Sequence, residues 1–316
     1  MPSPNAAGRA KAVAGMGFGR GKVILLGEHA VVHGRPALAA GLGAGVKTRA
    51  TEAEADALHA EPWSVTVRPG EDEPLARAFA ALLEAYPSER PAFHVHADVG
   101  LPGGAGLGCS AALGVAVADA LDQALAIERT PEARGELSLR WERVFHGNPS
   151  GVDNMMAAVG GVAVYRRGEP LERVRPRRPL PLVIAHSGES SSTKEVVAGV
   201  ARQLEKEPAR VGELFDGIAA LVNNAKLAVE EGDAKALGQL MDMNQGLLSA
   251  LFLSTEKLEL LCRTAREAGA LGAKLTGAGG GGCMIALAPD LEAAGAIEAA
   301  LKPHASMTLV AEAGAA

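Results

Sequence analysis

Residues 101–112 read Leu-Pro-Gly-Gly-Ala-Gly-Leu-Gly-Cys-Ser-Ala-Ala, with four glycines among the six positions 103 to 108. Glycine lets the main chain pass close to a ligand, and a helix starting just after such a loop offers free N–H groups and the positive end of its dipole. Cradling a polyphosphate is the chemistry that suits this arrangement. The loop is not of the Walker A kind, which closes on Gly-Lys-Ser/Thr; Cys109 and Ser110 stand there instead. Residues 106–111 do satisfy a loose G-x-G-x-x-A, and Glu128 lies near the spacing of the acidic residue in a dinucleotide-binding unit. Residues 112–125 read as helix throughout, however, and leave only Ala126 and Ile127 for the second strand of such a unit. A plain strand–helix turn needs fewer glycines. A second glycine run, 277–282, reads on its own as a flexible loop.

Rigid elements must hold these loops. Upstream, residues 22–26 form a short β-rich run, and 46–51 a further one. Residues 63–68 alternate apolar and polar, the pattern of a half-buried strand. Phe93, Val95, Ala97 and Val99 alternate with His94, His96 and Asp98 in the same way, so both histidines read as a solvated strand face. A helix follows the first loop from about 110 to 125. Thr130-Pro131 starts another, with Thr at the cap and Pro in the first turn. Asn148-Pro149 repeats that signal for a third. A stretch rich in Pro and Arg, 174–181, marks a domain boundary, and 182–185 then reads as a strand. Four helical segments follow. The clearest carries Leu214, Ile218, Leu221, Val222, Ala225 and Val229 on one face and ends at Gly232. Two strands flank the second glycine run, and a helix near 292–301 and a strand from 307 to 311 come last. The order β, helices, β, β, α, β is that of a ferredoxin-like unit with helices inserted.

Residues 102–112 resemble the P-x-x-x-G-L-G-S-S-A-A motif of the galactokinase/homoserine kinase/mevalonate kinase/phosphomevalonate kinase superfamily. Gly19-Arg20-Gly21-Lys22-Val23-Ile24-Leu25-Leu26-Gly27-Glu28-His29 resembles its first motif, and Lys274-Leu275-Thr276-Gly277-Ala278-Gly279-Gly280-Gly281-Gly282-Cys283 its third. The resemblance implies an α+β, two-domain small-molecule kinase fold. Its amino-terminal ATP-binding domain, a mixed sheet with helices, would span 1–179. A ferredoxin-like carboxy-terminal domain would span 180–316, with the active site in the cleft between them. It assigns ATP phosphate binding to Pro102, Gly103, Gly104, Ala105, Gly106, Leu107, Gly108, Cys109, Ser110, Ala111 and Ala112. It assigns a second glycine-rich loop to Gly277, Ala278, Gly279, Gly280 and Gly281. One departure stands out: Cys109 replaces the first Ser of the usual Ser-Ser pair. At a helix N-terminus its thiol is expected below the ordinary pKa and reactive. Cys262 is expected in the core, and Cys283 partly reachable.

Within the superfamily, residues 142–154, Glu-Arg-Val-Phe-His-Gly-Asn-Pro-Ser-Gly-Val-Asp-Asn, are similar to the mevalonate kinases, whose pattern is H-G-x-P-S-G-x-D-N with an Mg²⁺-binding Glu upstream. Residues 191–194 and 241–245 also match. The resemblance therefore implies Ser110 and Glu142 as Mg²⁺ ligands, Asp153 and Lys22 as catalytic, and Glu28, His29 and Thr193 on the substrate side. The implied reaction moves the γ-phosphoryl group of ATP to the 5-hydroxyl of mevalonate, an isoprenoid precursor, with Mg²⁺ as cofactor. A sister kinase acting on phosphomevalonate or homoserine is the alternative. The chemistry agrees: phosphoryl transfer needs charge neutralised on the moving group and an oriented nucleophile. Taken singly, Glu142 is a solvated helix carboxylate, Asp153 a first-turn carboxylate, Lys22 a surface lysine, and His29 and His146 structural histidines. Only their joint order and spacing overturn those readings.

Composition sets the remaining bounds. Hydrophobic residues make up 48% of the 316 but aromatics only 3%, so Ala, Leu and Val must fill the core. The formal net charge of −6, with no long basic run, argues against a nucleic-acid partner. Bound anions must find positive potential locally. No apolar run approaches the ~20 residues that span a bilayer. Residues 1–16 hold no apolar stretch before a cleavage site, so they read as a frayed end running into a strand rather than a secretory signal. Three cysteines without metal or redox spacing suit a reducing cytoplasm. A homodimer is carried over from the resemblance.

Overall fold

The computed structural model describes residues 14–61, 63–103, 105–146 and 149–314. Residues 1–13 of the frayed end expected over 1–16, Gly104 of the first loop, and Gly147 and Asn148 lie outside the described residues, while Gly15 and Met16 are already in a strand. The amino-terminal half contains β1 (Gly15–Leu26), a 3₁₀ turn (Ala30–His33), β2 (Ala37–Ala53), β3 (Ala57–Glu61), β4 (Val65–Val67), α1 (Pro74–Leu83), β5 (Ala92–Val99), α2 (Cys109–Ala124), α3 (Pro131–His146), α4 (Val152–Val159), β6 (Val162–Tyr165) and β7 (Glu172–Val174). Then come β8 (Leu180–His186), α5 (Thr193–Lys206), α6 (Pro208–Glu231), α7 (Ala234–Ala250), α8 (Glu256–Glu267), β9 (Gly272–Leu275), β10 (Cys283–Leu287), α9 (Leu291–Leu301) and β11 (Met307–Ala313).

The strand β2 is the hub of the sheet. It pairs antiparallel with β1 along most of its length, with β6 through 37–40 and with β5 through 46–53. Ala313 of β11 pairs with its Leu42, so the sheet runs β4-β3-β5-β2-β11-β8-β10-β9. The last four strands, taken in chain order, lie 4-1-3-2 and are antiparallel throughout, the expected ferredoxin-like arrangement, with α5 to α8 inserted after the first. One apolar core packs α1, α2 and α3 on β2, β3 and β5, and another lies between the carboxy-terminal sheet and its helices. A further core spans the two halves, joining Val23, Leu25 and Leu38 to Leu182, Ile184, Leu221 and Ile285.

The strand β1 is already formed at Gly15, well before the β-rich run at 22–26. Alternation puts Gly15, Gly17 and Gly19 on one face of it, and α2 lies directly on that face. A Cβ at these positions would fall 1.9, 2.0 and 1.9 Å from the carbonyl oxygens of Ala120, Ala116 and Ala112. Four helical residues rise ~6 Å and two strand residues ~6.6 Å, so the two periods run together. A strand of alternate glycines can thus lie against a stripe of alanines, and the helix carries the first glycine loop at its amino end. The strand β2 is likewise longer than the expected 46–51. Its Ala- and Gly-rich first half is buried, so it lacks an alternating signal. Gly19→Ala is expected to destabilise the fold by at least the ~1–3 kcal/mol typical of an overpacked core. Urea or thermal unfolding reads the effect, and a midpoint equal to wild type would show that strand and helix separate freely.

Candidate active site

The first glycine loop connects β5 to α2. Gly108 sits at the helix cap in the left-handed region, φ 74°, with no side chain capping the first turn. Gly106 is also left-handed, φ 75°. The second loop joins β9 to β10, and Gly277, Gly279, Gly280, Gly281 and Gly282 all have positive φ. The two loops face each other, since a Cβ on Gly277 would lie 3.8 Å from the Cα and carbonyl oxygen of Gly106. Thr276 fastens the second loop to β1: its hydroxyl oxygen accepts from Ile24 N–H at 3.1 Å and the hydroxyl lies 3.2 Å from Ile24 O.

Lys22 stands at a bulge in β1 and is 2% exposed. Its backbone N–H donates to Leu107 O at 2.9 Å, its Nζ donates to Gly106 O at 3.1 Å, and the same Nζ lies 3.1 Å from Asp153 Oδ1. Gly108 leaves room for the lysine stem, as a Cβ there would meet its Cγ at 3.0 Å. Asp153 is in the first turn of α4, whose cap is Gly151 at φ 94°. The helix begins there rather than straight after Asn148-Pro149. Tyr165 holds this entry by donating its hydroxyl to Ser150 O at 2.6 Å, and Arg167 donates to Pro149 O. The Asp153 side chain is one-third exposed, so the carboxylate meets both the buried ammonium and solvent.

Glu142 is not a solvated helix residue: it is 3% exposed. Its Oε2 accepts from Ser110 Oγ at 3.0 Å and its Oε1 lies 3.1 Å from His146 Nε2. The bond to Glu142 holds the His146 pKa above its ordinary value. Trp141, fully buried, donates its indole N–H to Ser110 Oγ at 3.3 Å. Among the described residues no three His, Cys, Asp or Glu side chains are placed to hold a metal ion. The hydroxyl–carboxylate pair at the amino end of α2 instead fits Mg²⁺, which takes few protein oxygens and completes its shell with water and phosphate.

The substrate-side residues are placed unequally. His29, with φ 59°, is 4% exposed, and its Nε2 lies 2.7 Å from Ala278 O. The ring bridges the turn after β1 to the second loop. Burial lowers its pKa to about 4, so the ring is neutral, Nε2 donates to the carbonyl, and Nδ1 is buried without a hydrogen-bond partner among the described residues. Glu28 is fully enclosed. Lys274 donates to its Oε1 and Asn244 Nδ2 to its Oε2 at 3.2 Å. Burial pushes the Glu28 carboxyl up and the Lys274 ammonium down, and each offsets the other's charge. Glu28 thus presents no free oxygen to a substrate in this arrangement. Thr193 is exposed at the first residue of α5, two positions beyond Ser191, whose hydroxyl donates to Gly279 O at 2.7 Å.

The expectation for Cys109 fails. The thiol lies under the loop, 4.0 Å from Leu101 O, and burial together with the Glu142 charge pushes its pKa up to about 11. The helix dipole does not compensate for the lost water. Cys283, expected partly reachable, is fully buried with its pKa pushed up to about 12, and Cys262 lies in the core as expected. Sequence reasoning missed Trp141, Tyr165 and the partners of Glu28. Trp141 adjoins Glu142, and Asn244 and Lys274 lie in segments already singled out, whereas nothing near Tyr165 marks it.

Two family models match the chain: GHMP kinases N terminal domain over residues 74–161 and GHMP kinases C terminal over 218–305. The mevalonate kinase of Thermococcus gammatolerans is 39% identical, with 85% of this chain and 87% of that one covered. That of Aeropyrum pernix is 34% identical, with 93% and 95% covered. The solved structure of L. major mevalonate kinase in complex with R-mevalonate superposes with a TM-score of 0.84 at 30% identity, covering 96% of this chain and 97% of that one. Methanococcus jannaschii mevalonate kinase, at 22% identity and TM-score 0.80, covers 97% and 99% and shares the fold. Fold and site together define a kinase of the GHMP class. With relatives above 30% identity across most of its length, the chain belongs to the mevalonate kinase family.

The His29 ring sets a pH dependence. Its folded pKa of about 4 lies below the ordinary 6.5, so between these values the unfolded chain binds the extra proton and stability falls as pH falls. At about 1.4 kcal/mol per unit, up to about 3 kcal/mol is present above pH 6.5 and lost as pH drops through 4. Asn tolerates the left-handed backbone, so His29→Asn is expected to flatten the fall in unfolding midpoint over this range. Parallel curves for variant and wild type would remove His29 from the linkage.

Proposed function

We propose that this chain transfers the γ-phosphoryl group of ATP to the 5-hydroxyl of mevalonate, giving 5-phosphomevalonate and ADP. The observation that carries the reading is the position of Lys22, whose Nζ is 3.1 Å from both Gly106 O in the first glycine loop and Asp153 Oδ1. One buried cation thereby connects a phosphate cradle to a carboxylate able to receive a proton. The choice of mevalonate rests on the family, on residues 142–154, and on the likeness to a kinase solved with R-mevalonate.

The described residues of the first loop, Pro102, Gly103 and Ala105 to Ala112, would take the ATP phosphates through backbone N–H groups and the dipole of α2. Gly277, Ala278, Gly279, Gly280 and Gly281 would close the opposite side. Ser110 and Glu142 would hold Mg²⁺, which would supply charge neutralisation for the transferring phosphoryl group. Asp153 orients the acceptor hydroxyl and takes its proton as the new O–P bond forms and the bond to the leaving ADP oxygen breaks. Lys22 holds the Asp153 carboxylate in place and offsets negative charge on the transferring group. His29 and Thr193 flank the acceptor on the second-loop side. Glu28 acts there through Lys274 rather than by contact.

An ADP-release assay with mevalonate, phosphomevalonate and homoserine in parallel tests the assignment. Mevalonate is expected to turn over fastest, and equal or faster turnover of either other acceptor would overturn it. Asp153→Asn keeps the size and removes the charge. It is expected to lower kcat by roughly 10²–10⁴ with ATP affinity little changed. Near-normal kcat would remove Asp153 from the proton-transfer role.

A further inference from the structure

We propose that His146 is a positioning residue, whose imidazole N–H fixes the Glu142 carboxylate against Ser110 in the orientation that receives the divalent ion. This rests on the phosphoryl-transfer reading above and adds a residue to it.

Trp141, Ser110, Glu142 and His146 form one chain of polar contacts with a defined polarity. A carboxylate oxygen only accepts, so the nitrogen 3.1 Å from Glu142 Oε1, His146 Nε2, carries the proton. Ser110 has a single hydroxyl proton, and it goes to Glu142 Oε2 at 3.0 Å, while its oxygen accepts the Trp141 indole N–H at 3.3 Å. Every link is therefore directed: two donors converge on the carboxylate, one on each oxygen. The indole end is rigid. Trp141 is fully buried and packs on Gly114, where a Cβ would come within 2.8 Å of the ring. The imidazole end is held by less. His146 lies one turn beyond Glu142 in the last turn of α3, with its side chain 36% exposed.

A glutamate has three side-chain torsions, and a ligand carboxylate that lacks an outer partner on one oxygen is free to rotate. Partners of this outer kind usually change metal affinity by about 10–100-fold when removed. Among the described residues, His146 is the group against Glu142 Oε1. The exposure of His146 also makes a substitution there tolerable to the fold, unlike one at Trp141. The Gln side chain carries an N–H of similar reach and no ring, which separates a donor role from a packing role.

The experiment compares wild type, His146→Ala and His146→Gln. One readout is ADP release against free Mg²⁺ at saturating ATP and mevalonate. The other is Mn²⁺ binding in the presence of ADP, followed by electron paramagnetic resonance without turnover. The Ala variant is expected to need roughly tenfold more of either ion, with KM for mevalonate within about twofold of wild type, and the Gln variant to recover most of the loss. Unchanged ion requirements in the Ala variant would make His146 a helix-end residue only. A raised KM for mevalonate at unchanged ion affinity would make it a substrate contact, and either result overturns the proposal. If wild type fails to release ADP with mevalonate, the functional reading falls, and the Mn²⁺ comparison still decides whether His146 orders the carboxylate. Unfolding midpoints of all variants guard against a general loss of fold, and His146→Leu, of similar bulk and without a donor, takes the place of the Ala variant should that one fail to fold.

Discussion

An ammonium group almost wholly removed from water governs the layout of this molecule. An isolated ion buried in protein costs several kcal/mol, so Lys22 has to be met by partners of fixed position. The carbonyl of Gly106 and the carboxylate of Asp153 are those partners. Each makes a demand on its own segment. The loop must turn back through left-handed glycines to aim a carbonyl inward, and Gly108 must lack a side chain for the lysine stem to pass. The helix carrying Asp153 must begin at Gly151, where any Cβ would strike the Tyr165 hydroxyl at 2.5 Å. The first glycine loop and the helix of Asp153 are thus tied to one strand through one charge.

A second enclosed cation repeats the pattern. Lys274 and Glu28 are both fully buried, and Asn244 supplies the carboxylate with its further donor. The pair joins the turn after β1 to β9, close to where His29 reaches Ala278. Removing either partner alone would leave a buried charge without its counterpart, the costliest way to alter such a site. Glu28 also feels the charge of Lys22. The interior beneath the two glycine loops is therefore an electrostatic unit of two ammonium groups and their carboxylates.

What could be read in advance followed from spacing along the chain. The glycine loops, Lys22, Asp153, and the Ser110 and Glu142 pair all sit in short segments whose residue types imply their use, and the structure brings these together. The strand–helix order of the carboxy-terminal half was legible for the same reason. Burial was not. The Cys109 expectation weighed a local dipole correctly and lacked the desolvation that outweighs it, because solvent exclusion there comes from elements remote in sequence. Glu28 and Lys274 are 246 positions apart, and no local pattern announces that they meet. Gly15 falls in the stretch that reads as a frayed end, since the stripe of alanines that explains it lies about a hundred residues further on.

The strand β11 lies between β2 and β8, near the middle of the sheet, yet it follows every other described strand in the chain. A ribosome delivers the polypeptide from its amino end, so β2 and β8 emerge long before the strand that fills the space between them. Until then β8, which β11 pairs along its whole length, offers unpaired backbone groups along one side, and such an exposed edge invites association with other chains. Both halves can fold locally in that interval, but the core that spans them cannot be sealed. Completion of this kinase is therefore a late event in its synthesis, and the nascent molecule carries its greatest aggregation hazard just before the final strand arrives.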